Sequence, residues 1–152
     1  MNMKDERQFV GYSKYRSRLV DGHVHTELCP HGSGDRTAMM IEKAIELRIE
    51  KVCLTEHAPL PKAFAVEYGG DQKAYDTASL ELNQVDTYLE LGRQLQRAYG
   101  THIDISLGFE VDYIPGFEAD IQEFLDRYGP LTDDNILSVH FMEGVDNAFY
   151  CL

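Results

Sequence analysis

The segment DGHVHTELCPHGSGD, residues 21–35, carries His23, His25 and His31, three of the six histidines in the chain. One surface imidazole needs no special account. Three at this spacing, bracketed by acids, form a donor set for a transition metal, because imidazole and carboxylate together suit Zn, Mn or Fe. Cys29 adds a soft donor inside the same run, so H-x-H-x3-C-x-H also reads, more weakly, as a finger-like site. A Cys29–His31 nucleophile pair is conceivable and weaker still. Ser33 sits between two glycines with no base evident for it. The chain has no phosphate-cradling G-x-x-x-x-G-K-[ST], no G-x-S-x-G elbow and no G-x-G-x-x-G.

The elements that must position these donors alternate in type. Residues 18–25 predict a strand. Residues 35–47 predict a helix, with Met39, Ile41, Ala44, Ile45 and Leu47 as its apolar positions and Asp35 or Thr37 as its cap. Residues 51–57 predict a strand. Residues 58–76, rich in Pro, Gly and aromatics, predict a lid or binding loop. Residues 78–99 predict a helix ended by Gly100 in the position of a C′ glycine. Residues 102–112 predict a strand, residues 117–128 a helix followed by Gly129, and residues 135–142 a strand. This β-α-β-α-β-α-β order implies an α/β protein with a parallel sheet, open or closed into a barrel.

Each predicted strand delivers a metal-capable side chain near its C-terminal end: His23 and His25, then His57, then Glu110, then His140. In parallel α/β architectures those ends form one rim, where active sites sit. Alternation along a strand gives Asp21, His23 and His25 one face, and Glu110 and Asp112 another shared face. Glu56 points away from His57 if the strand stays regular. Asp21 reads as an outer partner that orients an imidazole. Glu27 and Glu56 read as solvated or outer residues rather than ligands. His102 begins a strand, at the end opposite the rim, and reads as structural. Five histidines and one glutamate exceed what one zinc ion takes, so the count predicts two or three ions, with Glu110 able to bridge. Water poised between such ions is a standard device for phosphoester hydrolysis.

With 152 residues and 43% apolar content, the chain is long and apolar enough for a packed core. Its formal charge is -12, which argues against a nucleic-acid or membrane-surface binder but not against a small phosphate held through cations. Three cysteines without a C-x-x-C pair suggest reduced thiols, and no signal-like or membrane-spanning apolar run is present, so a cytoplasmic location is expected. Residues 1–20 read as a polar N-terminal extension, and residues 21–152 as the domain proper.

DGHVHTELCPHGSGD resembles the opening motif of the PHP (polymerase and histidinol phosphatase) superfamily. LTEHAPLP, GFEVDYIPGFE and DDNILSVHFMEG resemble later motifs of its monofunctional histidinol-phosphatase branch. The resemblance implies a distorted (β/α)7 TIM-like barrel with a trinuclear centre of divalent ions at its C-terminal rim. It implies that His23 and His25 hold the first ion, that Glu110 bridges it to a second held by His140, and that His31 and His57 hold the third. The implied reaction is hydrolysis of L-histidinol phosphate by a metal-bound hydroxide, carried by His23, His25 and Glu110.

Two departures accompany the resemblance. About 20 residues precede the opening motif, where the family begins almost at once. The family pattern also needs a further His and an Asp-x-His, and nothing after His140 supplies them. A closed α/β barrel takes about 200 residues or more, so the chain is expected to be the N-terminal part of a longer protein, with AFYCL opening another strand. Alone, such a piece is expected to be unstable and inactive. The alternatives are a PHP phosphoesterase acting on another phosphomonoester or nucleotide, and a non-catalytic metal-binding half-domain. Neither a nucleic-acid nor a membrane partner is expected, only a small phosphate ester.

Overall fold

The computed structural model describes residues 18–146 and 148–151, so most of the expected N-terminal extension lies outside the described residues. Four strands, β1 (Val20–Val24), β2 (Lys51–His57), β3 (Asp104–Asp112) and β4 (Ile136–Ser138), form one parallel sheet in the order β1-β2-β3-β4. The order never reverses. A doubly wound sheet reverses at its switch point, whereas a barrel adds each strand beside the last. The chain is therefore a curled part of a TIM-like barrel.

Helices α1 (Thr37–Glu46), α4 (Val85–Tyr99) and α5 (Glu118–Tyr128) cover the outer face of this sheet. On α4, Val85, Tyr88, Leu89, Gly92 and Leu95 are buried, which is one face at helical spacing. Alternation along β2 and β3 sends Val52, Leu54, Ile105, Leu107, Phe109 and Val111 into this core. Cys53, Thr55, His57, Ser106, Gly108, Glu110 and Asp112 take the other face. Gly108 is required there. A Cβ at this position would stand 1.5 Å from the carbonyl oxygen of Asp134, where the chain enters β4.

A second apolar cluster, Phe64, Ile114, Phe117, Phe141 and Phe149, packs under the expected lid. Residues 58–76 are not a bare loop. They contain two short helices, α2 (Phe64–Glu67) and α3 (Gln72–Asp76), and Phe64 anchors them with its ring edge-on to Phe117, Phe141 and Phe149.

Several boundaries differ from the sequence expectation for identifiable reasons. The 78–99 helix begins only at Val85. Leu80 donates its N–H to the His57 carbonyl and is buried, so residues 78–81 run across the end of β2, and a Glu81–Gln84 capping box opens a 3-10 turn that leads into α4. Gly100 keeps a right-handed φ of -61°, and the chain leaves the helix through His102 and Ile103, whose N–H groups donate to Tyr99 O. Neither Asp35 nor Thr37 caps α1. Instead the Glu27 carboxylate accepts from both the N–H and the hydroxyl of Thr37. Met39 and Leu47 stay exposed, leaving Ile41, Ala44 and Ile45 as the inner stripe. The 135–142 strand breaks at Val139 and His140. Its second half, β5 (Phe141–Glu143), pairs antiparallel with β6 (Phe149–Cys151), so the strand expected in this last segment is present and forms a hairpin with β5.

Tyr88 ties α4 to the two central strands. Its buried hydroxyl lies 2.9 Å from Leu54 O and 2.6 Å from Gly108 O, and accepts the Glu56 N–H at 3.3 Å. Removing a hydroxyl that serves buried backbone groups costs about 1–3 kcal/mol. Tyr88→Phe is therefore expected to lower the unfolding free energy by that amount, read as a lower urea midpoint at an unchanged denaturant slope; an unchanged midpoint would refute the role.

Candidate metal centre

The ends of the four parallel strands bring His23, His25, His57, Glu110 and His140 together, and the loop after β1 adds His31. His57 closes β2 and lies in register with Glu110 of β3. Glu110 is buried, and its two oxygens face different imidazoles. Oε2 lies 2.8 Å from His23 Nε2, 3.3 Å from His25 Nε2 and 3.3 Å from His57 Nδ1. Oε1 lies 3.3 Å from His140 Nε2. Around this carboxylate the rings crowd, with centroids 4.4 Å apart for His25 and His57 and 4.9 Å for both His23–His25 and His31–His57. His25 Nε2 and His23 Nε2 are 3.0 Å apart.

Three of the five rings are held from behind. His25 Nδ1 lies 3.2 Å from Glu56 Oε1. His140 Nδ1 lies 2.9 Å from Asp112 Oδ1, which also accepts the His140 N–H. His31 Nδ1 lies 2.7 Å from the carbonyl oxygen of Thr77, just past α3. His57 has no such partner. Its Nδ1 is buried without a hydrogen-bond partner, since the approach to Glu110 lacks hydrogen-bond geometry. A buried, unpartnered ring nitrogen facing a carboxylate and other imidazoles fits a cation-binding role.

Within three groups the donor atoms lie within 4.8 Å of one another: His23, His25 and Glu110; His57, Asp112 and His140; His25, Cys29 and His57. Cys29 is buried and its thiol pKa is raised by that burial, so it is a thiol rather than a ready thiolate. Asp21 departs from the expectation. A bulge between Asp21 and Val24 inserts one residue into β1, breaks the alternation that would align Asp21 with His23, and leaves Asp21 exposed. No imidazole among the described residues bonds to it. Glu56, Asp112 and the Thr77 carbonyl take the orienting role. Sequence reasoning missed Asp112, although its shared face with Glu110 pointed to it. Glu27 is a helix cap, not a site residue. His102 lies in an exposed turn before β3, away from the rim.

The charges are mutually adjusted. Burial alone would raise the Glu56 carboxyl, but the bonds from His25 and Thr26 outweigh it and hold its pKa low. Burial likewise opposes Glu110, and the His23 bond with the His57, His23 and His140 charges holds it low. The Glu56 hydrogen bond raises His25. Burial raises Asp112 and pushes His57 down to about 4.

A folded-state pKa of about 4 for His57 lies below the ~6.5 of an unfolded histidine. Between those values only the unfolded chain binds the proton, so this contribution to stability is present above about pH 6.5 and is lost as pH falls towards 4. Glu56 and Glu110, held low when folded, extend the loss in the same direction at more acid pH, while His25 acts with the opposite sign as pH rises. Chelator-treated protein is expected to show a urea midpoint that falls from about pH 6.5 to about pH 4, with His57→Gln flattening that part of the curve. A midpoint independent of pH across this window would refute the assignment.

Comparison with known proteins places this geometry in context. The PHP domain family matches residues 21–151. Over 132 residues the chain is 43% identical to the histidinol-phosphatase of Bacillus subtilis (strain 168), covering 87% of this chain and 47% of that protein. The crystal structure of HisK from Listeria monocytogenes, assigned as a histidinol phosphatase, superposes with a TM-score of 0.84 at 42% identity, covering 87% of this chain and 48% of that one. Histidinol phosphate phosphatase from Lactococcus lactis, solved with zinc, L-histidinol and phosphate, shares the fold at a TM-score of 0.64 and 24% identity, covering 82% of this chain and 41% of that one. The chain spans about half the length of the relatives it matches. No described helix is long and apolar enough to cross a membrane. With the match running from Asp21 through the last described strand, the chain belongs to the PHP domain family.

Proposed function

We propose that this chain forms part of a metal-dependent phosphomonoesterase that hydrolyses L-histidinol phosphate to L-histidinol and phosphate. The observation that carries the reading is the convergence of four imidazoles, those of His23, His25, His57 and His140, on the two oxygens of one buried carboxylate, Glu110, with the His31 ring against His57. The 43% identical relative named histidinol-phosphatase supports the substrate.

In this reading His23 and His25 would hold one divalent ion, His140 a second, and His31 with His57 a third, with Glu110 as the carboxylate shared between the first two. Zinc, manganese and iron all suit this mixture of imidazole and carboxylate. Bound ions supply Lewis acidity towards the phosphate oxygens and a nucleophile drawn from water at neutral pH. The chain's own residues supply the rest. Glu110 divides its charge between two sets of rings, which is the arrangement a bridging carboxylate needs. Its low pKa keeps it an acceptor at neutral pH, and the depressed pKa of His57 keeps that ring neutral and able to donate an electron pair. A small phosphate ester is the substrate class. The -12 charge disfavours a nucleic-acid polymer, whose backbone demands basic contacts.

The test is phosphate release by the intact protein from L-histidinol phosphate, set against a panel of sugar phosphates and nucleoside monophosphates. Release is expected to be fastest from histidinol phosphate, to stop on chelation and to return with added zinc or manganese. His57→Asn and Glu110→Gln are each expected to cost more than the roughly 10–100-fold that loss of an outer partner costs. Chelator-insensitive release, or a nucleotide as the preferred substrate, would overturn the reading.

A further inference from the structure

Glu56 is the most completely buried acid in the described structure, with no exposed surface. A carboxylate in such a position is costly unless each oxygen is satisfied. Here both are. Oε2 accepts the N–H of Thr26 at 2.9 Å and its hydroxyl at 2.7 Å. Oε1 accepts the N–H of His57 at 3.1 Å and faces His25 Nδ1 at 3.2 Å. Its own N–H is fixed by the Tyr88 hydroxyl. Glu56 thus touches the backbone on either side of the cluster, at Thr26 after β1 and at His57 on β2, and reaches one ring of the cluster directly.

The direction of approach matters. On β2, Glu56 has the parity of Val52 and Leu54, the residues that face the helices, while His57 has the opposite parity. Glu56 therefore reaches His25 from outside the donor cluster. The His25 nitrogen it engages is Nδ1, and the nitrogen left over, Nε2, faces Glu110 and His23. A carboxylate only accepts, so the Nδ1 it faces must carry the proton. That leaves Nε2 of the neutral ring with a lone pair aimed into the cluster, the tautomer a metal ligand needs.

We propose that Glu56 is a positioning residue of the centre: it fixes the ring orientation and Nδ1–H tautomer of His25 and couples them to the backbone that carries His57. The inference rests on the metal reading of the site, and deepens it by naming a residue outside the ligand set on which metal affinity depends.

Two measurements on the intact protein test it. In the metal-free wild type at alkaline pH, long-range proton–nitrogen correlation of the histidine side chains is expected to report His25 as the Nδ1–H tautomer. An Nε2–H tautomer would overturn the proposal without recourse to any variant. The second measurement is zinc affinity. Glu56→Ala strips an acceptor from four donors at once and is expected to compromise folding. Glu56→Gln is isosteric and keeps one carbonyl oxygen, but turns the other into a donor facing donors. It is expected to bind zinc roughly 10–100-fold more weakly and to shift the His25 tautomer signature, with Glu56→Asp recovering part of the loss because it restores an acceptor-only group. A Glu56→Gln protein that melts lower yet binds zinc as tightly as wild type, with His25 unchanged, would reduce Glu56 to a structural residue and refute the proposal. Neither readout uses substrate. A zinc-loaded wild type that releases no phosphate from histidinol phosphate would therefore overturn the proposed reaction alone.

Discussion

Seven parallel pairs run from Lys51–Asp104 to His57–Glu110, and this register decides which atoms meet at the top of the sheet. Side chains on a strand alternate faces, so a slip of one residue would send His57 or Glu110 among the helices. With the observed register, Glu110 reaches the middle of the imidazole cluster while Leu107, Phe109 and Val111 complete the helix-covered core. Tyr88 reinforces the register from behind by bonding to the backbone of both strands. Gly108 allows the segment before β4 to press against β3, and β4 then delivers His140 to the second oxygen of Glu110. The apolar core and the donor cluster are two sides of one alternation.

Crowding five imidazoles is unfavourable if they are all protonated, and burying three acids is unfavourable if they are all unpaired. The arrangement meets both difficulties by pairing each buried acid with particular rings. Glu56 takes His25, Asp112 takes His140, and Glu110 takes what faces inward from each group. The residue left over is His57, whose ring is buried against all of them, stays neutral and lacks a hydrogen-bond partner. That one unsatisfied nitrogen is the local cost of the arrangement, and a bound cation is the natural way to relieve it.

Much of this was legible in the sequence because it depends on strict periodicity. The extent of β2, the parallel α/β class and the convergence of His23, His25, His57, Glu110 and His140 follow from alternation and from the rule that active groups gather at strand ends. What was not legible depended on events that periodicity does not encode. A single extra residue in β1 removed Asp21 from the cluster. The helix expected from Ala78 started at Val85 because Leu80 is held by the His57 carbonyl, a contact between segments 23 residues apart in the chain. The cap expected at Asp35 or Thr37 gave way to Glu27, which enters from the preceding loop. Glu56 reads from the sequence only as a solvated or outer residue, and which of the two it is depends on the fold: its parity, opposite to that of His57, lets it reach His25 from the rear.

The segment between β2 and α4 is tied to both parts of the molecule. Phe64 fixes it to the aromatic cluster formed with Phe117 and the β5–β6 hairpin, and Thr77 fixes its far end to His31. His31 is also the donor that comes from a loop rather than from the end of a strand. Its turn closes locally, with the Cys29 N–H donated to Thr26 O and the Gly32 N–H to Cys29 O, but nothing in that turn sets the direction of the ring. The Thr77 carbonyl does, and Thr77, just past α3, is held in turn by its N–H and hydroxyl, which both donate to the Lys73 carbonyl. The loop imidazole is therefore oriented by an element that also roofs the second apolar cluster. Rigid strands position His57 and Glu110, whereas His31 takes its position from a segment whose own place depends on aromatic packing, so this is the donor whose geometry a movement of that segment would alter first.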